Sequence, residues 1–238
     1  MLEETGFLLV DKPSGMTSHD VIDQLRSVTG IKKIGHAGTL DPFATGLLIV
    51  AVSRGATKHI ATFVGLDKTY EAEFVLGATT ESFDPETEVF VDEQSPDIDE
   101  LMIKEAIHSL TREMDQVPPM HSAVKVNGKK LYELAREGKT VERKPRRITI
   151  HDFILTRGPK TENGVHKISV KISCSSGTYI RAVVRDLAKA LGTTGYVQTL
   201  RRTSIGKFDI KTATNLKEIS SENWLKLLKS FDNMGIDV

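Results

Sequence analysis

Apolar positions change period several times along the chain, and each change predicts an element. "GFLLV" (Gly6–Val10) and "GLLIVAV" (Gly46–Val52) are short continuous apolar runs rich in branched residues, the pattern of buried strands. Between them Val21, Ile22, Leu25 and Val28 share one helical face, with Thr17 or Ser18 as cap and Gly30 as the stop. Residues 56–64 read as helical, "KTYEAEFVLG" (Lys68–Gly77) alternates as a strand, and a helix is predicted near Ile98–Leu110. "RITIHDFIL" and "HKISVKISC" read as strands. Ile180, Val183, Val184, Leu187, Ala188 and Leu191 then give the strongest amphipathic helix, with Gly192 at its end. "YVQTLRR" and "IGKFDI" add two strands, and a last helix spans Asn223–Lys229. Strands in sequence with intermittent helices predict an α+β fold with a mixed, mostly antiparallel sheet and flanking helices.

Composition keeps this picture within the soluble globular class, with 39% apolar and 27% charged residues. The longest strongly apolar stretch, "LLIVAV", is far shorter than a membrane span, and the acidic start "MLEETGFLLVDK" lacks the bases of a secretory signal. One cysteine, Cys174, excludes an intramolecular disulfide and a cysteine-based zinc cluster. A reducing cytoplasm is the expected location.

The formal charge is zero, yet it is unevenly distributed. Twelve acids face Lys104 and Arg112 between Glu81 and Asp115, whereas nine bases face three acids between Pro118 and Arg147. The basic segment opens with "VPPM" and holds one short helical piece, "KLYELAREG". It reads as a projecting insertion, which is either a solvated surface loop or a local grip on a polyanion.

Candidate chemistry centres on "GHAGTLDPFATG" (Gly35–Gly46). Pro42 pushes Asp41 out of the helical region, and Gly35, Gly38 and Gly46 let a backbone or planar ligand approach closely. An Asp-Pro step also builds Asx-turns and helix caps, so the step alone leaves both readings open. Arg181, after "SSGTY", occupies the first turn of the strongest helix, where a cation opposes the macrodipole. It is either a tolerated surface arginine or the fixed partner of a buried carboxylate, with Asp41 the obvious candidate. Tyr70, Tyr179 and His36 add flat faces of the kind an unstacked RNA base requires. No P-loop, GxGxxG turn, HExxH, GxSxG or zinc-deaminase pattern is present.

"KPSGMTS", "GHAGTLDPFATG", "DKTYEAEFVLG", "QVPPMHSAVKVNGKKLYELAREG", "CSSGTYIRAVVRDLA" and "LRRTSIGKF" follow one another from Lys12 to Phe208. Together they resemble the tRNA pseudouridine-55 synthases of the TruB type. The resemblance implies the pseudouridine-synthase core with a basic thumb insertion, and isomerisation of uridine 55 in the tRNA T-arm stem-loop without metal or organic cofactor. It also implies Asp41 as the catalytic aspartate and Arg181 as its partner. Tyr70 would stack on the target base, His36 would fill the space the flipped nucleotide leaves, and Tyr179 and Leu200 would line the uracil pocket. Lys12, Lys125, Lys129, Lys130, Arg143, Arg146 and Arg147 would contact RNA.

On this reading residues 1–211 form the catalytic domain, with the thumb at about 116–147. The 27 residues after Lys211 form a short helical extension, too few for the small PUA-type RNA-binding module such enzymes usually carry. A monomer without membrane contact is expected. Two alternatives stay open: a non-catalytic RNA-binding or RNA-folding module, and a related synthase acting on another RNA. The chemistry suits a lone carboxylate. It can attack the substrate or stabilise positive charge on the ribose, provided a guanidinium keeps it ionised against desolvation.

Overall fold

A computed structural model describes residues 4–122, 124–126 and 128–235. In chain order its first elements are β1 (Gly6–Lys12), α1 (Ser18–Thr29), β2 (Ile34–Ala37), β3 (Thr45–Val52), α2 (Ser53–Thr57), α3 (Ile60–Val64) and β4 (Lys68–Leu76). Then come β5 (Ala78–Thr80), β6 (Val89–Val91), α4 (Glu100–Leu110), β7 (Glu113–Gln116), β8 (Lys125–Val126), β9 (Lys129–Lys130) and α5 (Leu131–Arg136). The remainder is β10 (Arg146–Glu162), β11 (Val165–Cys174), α6 (Ile180–Ala190), β12 (Gly195–Ile205), β13 (Phe208–Asp209), β14 (Thr214–Asn215), α7 (Trp224–Leu227) and α8 (Phe231–Met234). The chain forms two compact units, residues 1–70 with 201–238, and residues 71–200.

In the first unit β3 explains why its sequence is apolar throughout. One edge pairs antiparallel with β1, from Gly6↔Val52 to Lys12↔Gly46. The other edge is shared: β12 runs parallel at Thr45 and Gly46, and β2 runs antiparallel from Ile49 to Val52. Both faces are covered as well. Phe7, Leu9, Leu47, Ile49 and Ala51 pack with Phe63, Ile205, Phe208 and Met234 on one side. Leu8, Val10, Leu48, Val50 and Val52 pack with Val21, Ile22, Leu25, Leu216, Ile219 and Trp224 on the other. The residues after Lys211 thus belong to this unit's core.

The helix α1 carries the capping box its sequence announces. The Thr17 hydroxyl accepts from the Asp20 amide, the Asp20 carboxylate accepts from the Thr17 amide, and Gly30 closes the helix at φ 72°. Two other expectations are shortened by competing bonds. The helix expected over 56–64 is two turns, α2 and α3, separated at Lys58 and His59, where the His59 amide turns back to the Ala56 carbonyl. The helix expected to reach Lys229 ends at Leu227, because Lys229 instead exchanges two backbone hydrogen bonds with Phe7.

In the second unit β10 pairs with β11 along its length and with β7 at its start, both antiparallel. Three register shifts let β10 run 17 residues, well beyond the expected "RITIHDFIL". The helix α6 buries Ile180, Arg181, Ala182, Val183, Val184, Leu187 and Ala188. The basic segment holds the β8–β9 hairpin and α5.

Candidate active site

Asp41 lies in the first unit, on the loop between β2 and β3, and that loop is held by an unusually complete set of bonds. Arg202 Nη2 and Nη1 donate to the carbonyls of Gly38 and Thr39 at 3.0 and 3.4 Å. Ser18 Oγ accepts from the Leu40 amide at 2.9 Å and donates to the Leu40 carbonyl at 3.2 Å. The Asp41 carbonyl accepts from the Ala44 amide, which makes the Asp-Pro step a tight turn. The Pro42 carbonyl takes the Gly15 amide at 2.9 Å and Lys12 Nζ at 3.2 Å, and the Phe43 carbonyl takes Ser14 Oγ at 2.9 Å. Every carbonyl from Gly38 to Phe43 is therefore occupied. The loop cannot relax by trading one partner for another, and the Asp41 side chain, half-buried, is carried on a fixed frame.

Lys12 is part of that frame. It is fully buried, and its ammonium also donates to the carbonyls of Pro13 and Met16 at 2.9 and 2.6 Å. His36, on β2, is mostly buried, and its Nδ1 finds no partner among the described residues. Burial first, then the neighbouring Arg202 charge, holds the His36 pKa below the ordinary histidine value. Tyr70 is buried at the last position of the first segment of this unit.

The second unit holds Tyr179, Arg181 and Leu200. Tyr179 caps α6, and the buried Gln116 side chain grips its backbone from both sides: Oε1 accepts from the Tyr179 amide at 2.9 Å and Nε2 donates to its carbonyl at 3.2 Å. Arg181 is buried. Its Nη1 lies 3.0 Å from Asp84 Oδ2 and donates to the Ser82 carbonyl at 3.1 Å, while Nη2 donates to the His121 carbonyl at 2.6 Å. The cation placed against the helix dipole is thus compensated by a buried carboxylate of its own unit. Asp84 is fixed in turn, with Oδ1 accepting from Ser82 Oγ at 2.5 Å and from the Glu86 amide at 3.0 Å. Leu200 is buried at the middle of β12.

Sequence reading missed Asp84 and Gln116. One signal was available for Asp84: Asp84-Pro85 repeats the Asp41-Pro42 step, and these are the chain's two Asp-Pro pairs. Gln116 carried no signal.

The cations expected to hold RNA differ in how they are used. Lys129 Nζ lies 3.4 Å from Glu137, and Arg147 is bonded to Glu113 and lies 3.5 Å from Asp115. Lys130 donates to the Tyr132 hydroxyl, which raises its pKa. Arg143 turns inward to the Pro118 carbonyl, and its burial lowers its pKa. Arg146 is exposed and forms no ion pair among the described residues. The side chain of Lys125 lies outside the described residues. A second cationic surface was not foreseen. In the first unit Lys33, Arg54 and Lys58 line a cleft of about 380 Å³ with Ile34, Gly35, Thr57 and Ile60, and no acid lines it.

This fold, a mixed sheet with flanking helices, is that of the pseudouridine synthases, and the chain superimposes on solved members of that class. In a crystal structure of a Cbf5–Nop10–Gar1 complex the match has a TM-score of 0.70 at 25% identity, covering 98% of this chain and 57% of that one. An H/ACA RNP bound to a substrate RNA containing 2′-deoxyuridine matches with a TM-score of 0.66 at 22% identity, covering 98% and 56%. Residues 26–180 match the TruB family pseudouridylate synthase (N terminal domain), and residues 181–230 match the tRNA pseudouridylate synthase B C-terminal domain. The tRNA pseudouridine synthase B of Arthrobacter sp. (strain FB24) is 42% identical over 219 residues, which are 92% of this chain and 71% of that protein. That of Mycobacterium sp. (strain KMS) is 44% identical over 217 residues, 91% and 72%. The chain belongs to the TruB family of pseudouridylate synthases. It is an RNA-modifying isomerase, and among its described residues no helix is long and apolar enough to cross a membrane.

Proposed function

We propose that this protein isomerises uridine 55 in the T-arm of tRNA to pseudouridine in the cytoplasm, with Asp41 as the reacting carboxylate and Arg181 as its guanidinium partner. The observation that carries the reading is the loop itself: six successive carbonyls are bound so that one acid is held still on a turn. A positioned group gains orders of magnitude over a free one. The relatives named above make tRNA the substrate of choice.

The reaction breaks the C1′–N1 bond, turns the uracil, and joins C1′ to C5. The C5 proton is lost, N1 gains one, and nothing is oxidised. Asp41 serves as nucleophile or as counter-charge to the developing cation at the ribose. Arg181 keeps it ionised, and Asp84 and two carbonyls keep Arg181 in place. Tyr70, Tyr179 and Leu200 give the detached base flat and apolar walls, so that it rotates without escaping. Tyr70 stands to assist loss of the C5 proton. His36, neutral at physiological pH because of its burial, fills the gap in the RNA stack and offsets part of the flipping cost, which is a few kcal/mol.

For RNA grip, phosphate contacts fall to Lys33, Arg54 and Lys58, whose cleft no acid lines, and to Arg146, which forms no ion pair among the described residues. Lys12, tied to three carbonyls, is assigned the loop rather than the RNA.

The test is tritium release from tRNA labelled at uridine C5. Asp41→Asn is expected to bind tRNA with parental affinity and release no tritium; normal turnover would remove Asp41 from the chemistry. Mapping modified positions in total RNA from cells lacking the protein is expected to show loss at uridine 55 of tRNA, and loss elsewhere would assign another RNA substrate.

A further inference from the structure

Arg202 is completely buried, and among the described residues it makes no ion pair. Its guanidinium is satisfied by backbone carbonyls alone: Nε donates to Leu47 at 2.8 Å, Nη2 to Gly38 at 3.0 Å and Nη1 to Thr39 at 3.4 Å. Removing such a cation from water costs several kcal/mol, and neutral carbonyls repay less than a carboxylate would. An apolar side chain would serve packing better. What Arg202 provides instead is geometry, because its rigid fork reaches both arms of the loop that carries Asp41.

The bonds define a brace. Gly38 and Thr39 lie just before Asp41, and Leu47 lies six residues beyond it in β3. The backbone of Arg202 closes the same loop from a third direction, since β12 pairs with β3 at Arg202↔Gly46. That contact is so close that a Cβ on Gly46 would stand 2.3 Å from the Arg202 carbonyl oxygen. One residue thus fixes the start, the end and the floor of the turn. Lysine, with a single point of charge on a flexible stem, cannot span two arms in this way.

We infer that Arg202 is a positioning residue for the pseudouridine-forming reaction, holding the Asp41 loop in its reactive geometry by bridging Gly38–Thr39 to Leu47. The inference rests on the reading of Asp41 given above. Arg202 touches no substrate in this account; it acts through the loop.

Arg202→Lys keeps the charge and removes the fork. At saturating enzyme, single-turnover tritium release from C5-labelled tRNA is expected to slow by about 10- to 100-fold, the scale of a misplacement of about 1 Å. Affinity for tRNA is expected to stay within about twofold of the parent, a fraction of a kcal/mol. Hydrogen exchange supplies a readout independent of activity. The amide of Leu40, which donates to Ser18 Oγ, and that of Ala44, which donates to the Asp41 carbonyl, are expected to exchange faster, while those of Leu8 and Val10 in β1 keep parental protection. Turnover within twofold of the parent, or exchange accelerated equally in loop and strand, overturns the inference. Arg202→Met is the second variant. It should lose the brace and the charge together, so its rate should fall at least as far as that of the lysine variant, and a faster rate overturns the inference as well. If Asp41→Asn turned over normally the reading of Asp41 would fall, yet the exchange result would still decide whether Arg202 braces the loop.

Discussion

Arg181 and Asp84 form a buried ion pair at 3.0 Å, with 5% and 2% of their side-chain surfaces exposed. A guanidinium and carboxylate this far from water make removal of one partner costly. Asp84→Ala removes the buried carboxylate that its own unit sets against Arg181, and should lower unfolding free energy by about 3–5 kcal/mol. Asp84→Asn retains a hydrogen-bond acceptor and should cost less, while still loosening Arg181. Urea titration checks the order, Ala worse than Asn. Tritium release should fall in both, with tRNA affinity nearly unchanged.

His36 gives the protein an acid-sensitive term. Its folded pKa is lowered by burial and by Arg202, so the unfolded chain binds the proton more readily. Stability then rises with pH wherever only the unfolded state is protonated. The His36 contribution is therefore full above the ordinary value of about 6.5 and is lost as pH falls through it toward the lower folded pKa. His36→Asn should flatten the dependence of the urea midpoint between about pH 5 and 7 relative to the parent. An identical slope in the two proteins would show that His36 does not titrate in this way.

How much of this was legible in the sequence depends on whether local pattern or distant partners decide. β1 and β3 were readable because both of their faces are covered, which requires unbroken apolar runs. The helix α1 was readable because its cap and stop lie within its own segment. The end of the chain was not, because Lys229 pairs with Phe7, more than two hundred residues away, and no local signal marks that. In the site, the Asp41 turn announced itself through its glycines and Pro42. Arg181 left two readings open, a tolerated surface cation or the partner of a buried carboxylate; its own unit supplies one such carboxylate, Asp84, whose Asp-Pro step looks like an ordinary surface turn in an acidic stretch. Lys12 was assigned to RNA through the family resemblance, with no local pattern behind it; three carbonyls close in sequence or in space draw it inward. The cleft of Lys33, Arg54 and Lys58 was hidden because its cations come from two separate segments, neither of them a charge run.

That cleft makes a quantitative prediction for RNA binding. Lys33, Arg54 and Lys58 face no acid across it, so each is available to a phosphate. Replacing Arg54 and Lys58 by alanine should weaken tRNA binding and reduce the slope of log affinity against log salt by roughly one to two units. Lys129→Ala is the contrast. Its ammonium already lies by Glu137, and its loss should move the slope less. Filter binding across a salt series measures both, and equal slopes for parent and double variant would remove the cleft from the RNA interface.

Gly46 is a position where the backbone allows no side chain. Its φ is 108°, and an added methyl would meet the Arg202 carbonyl oxygen at 2.3 Å and its amide nitrogen at 2.7 Å, both backbone atoms paired across β3 and β12. Neither can move without opening the strand pair that anchors the Asp41 loop. Gly46→Ala should therefore combine the strain of a positive φ, about 1–3 kcal/mol, with a clash that adds to it. Gly15 separates the two effects. It also has a positive φ, 85°, but nothing stands within 4 Å of its added methyl, so Gly15→Ala should show the strain alone. Denaturation midpoints should rank parent, Gly15→Ala, Gly46→Ala in falling order. Tritium release should fall steeply in Gly46→Ala even at temperatures where that variant is fully folded, because the shift it forces lies at the foot of the reacting loop.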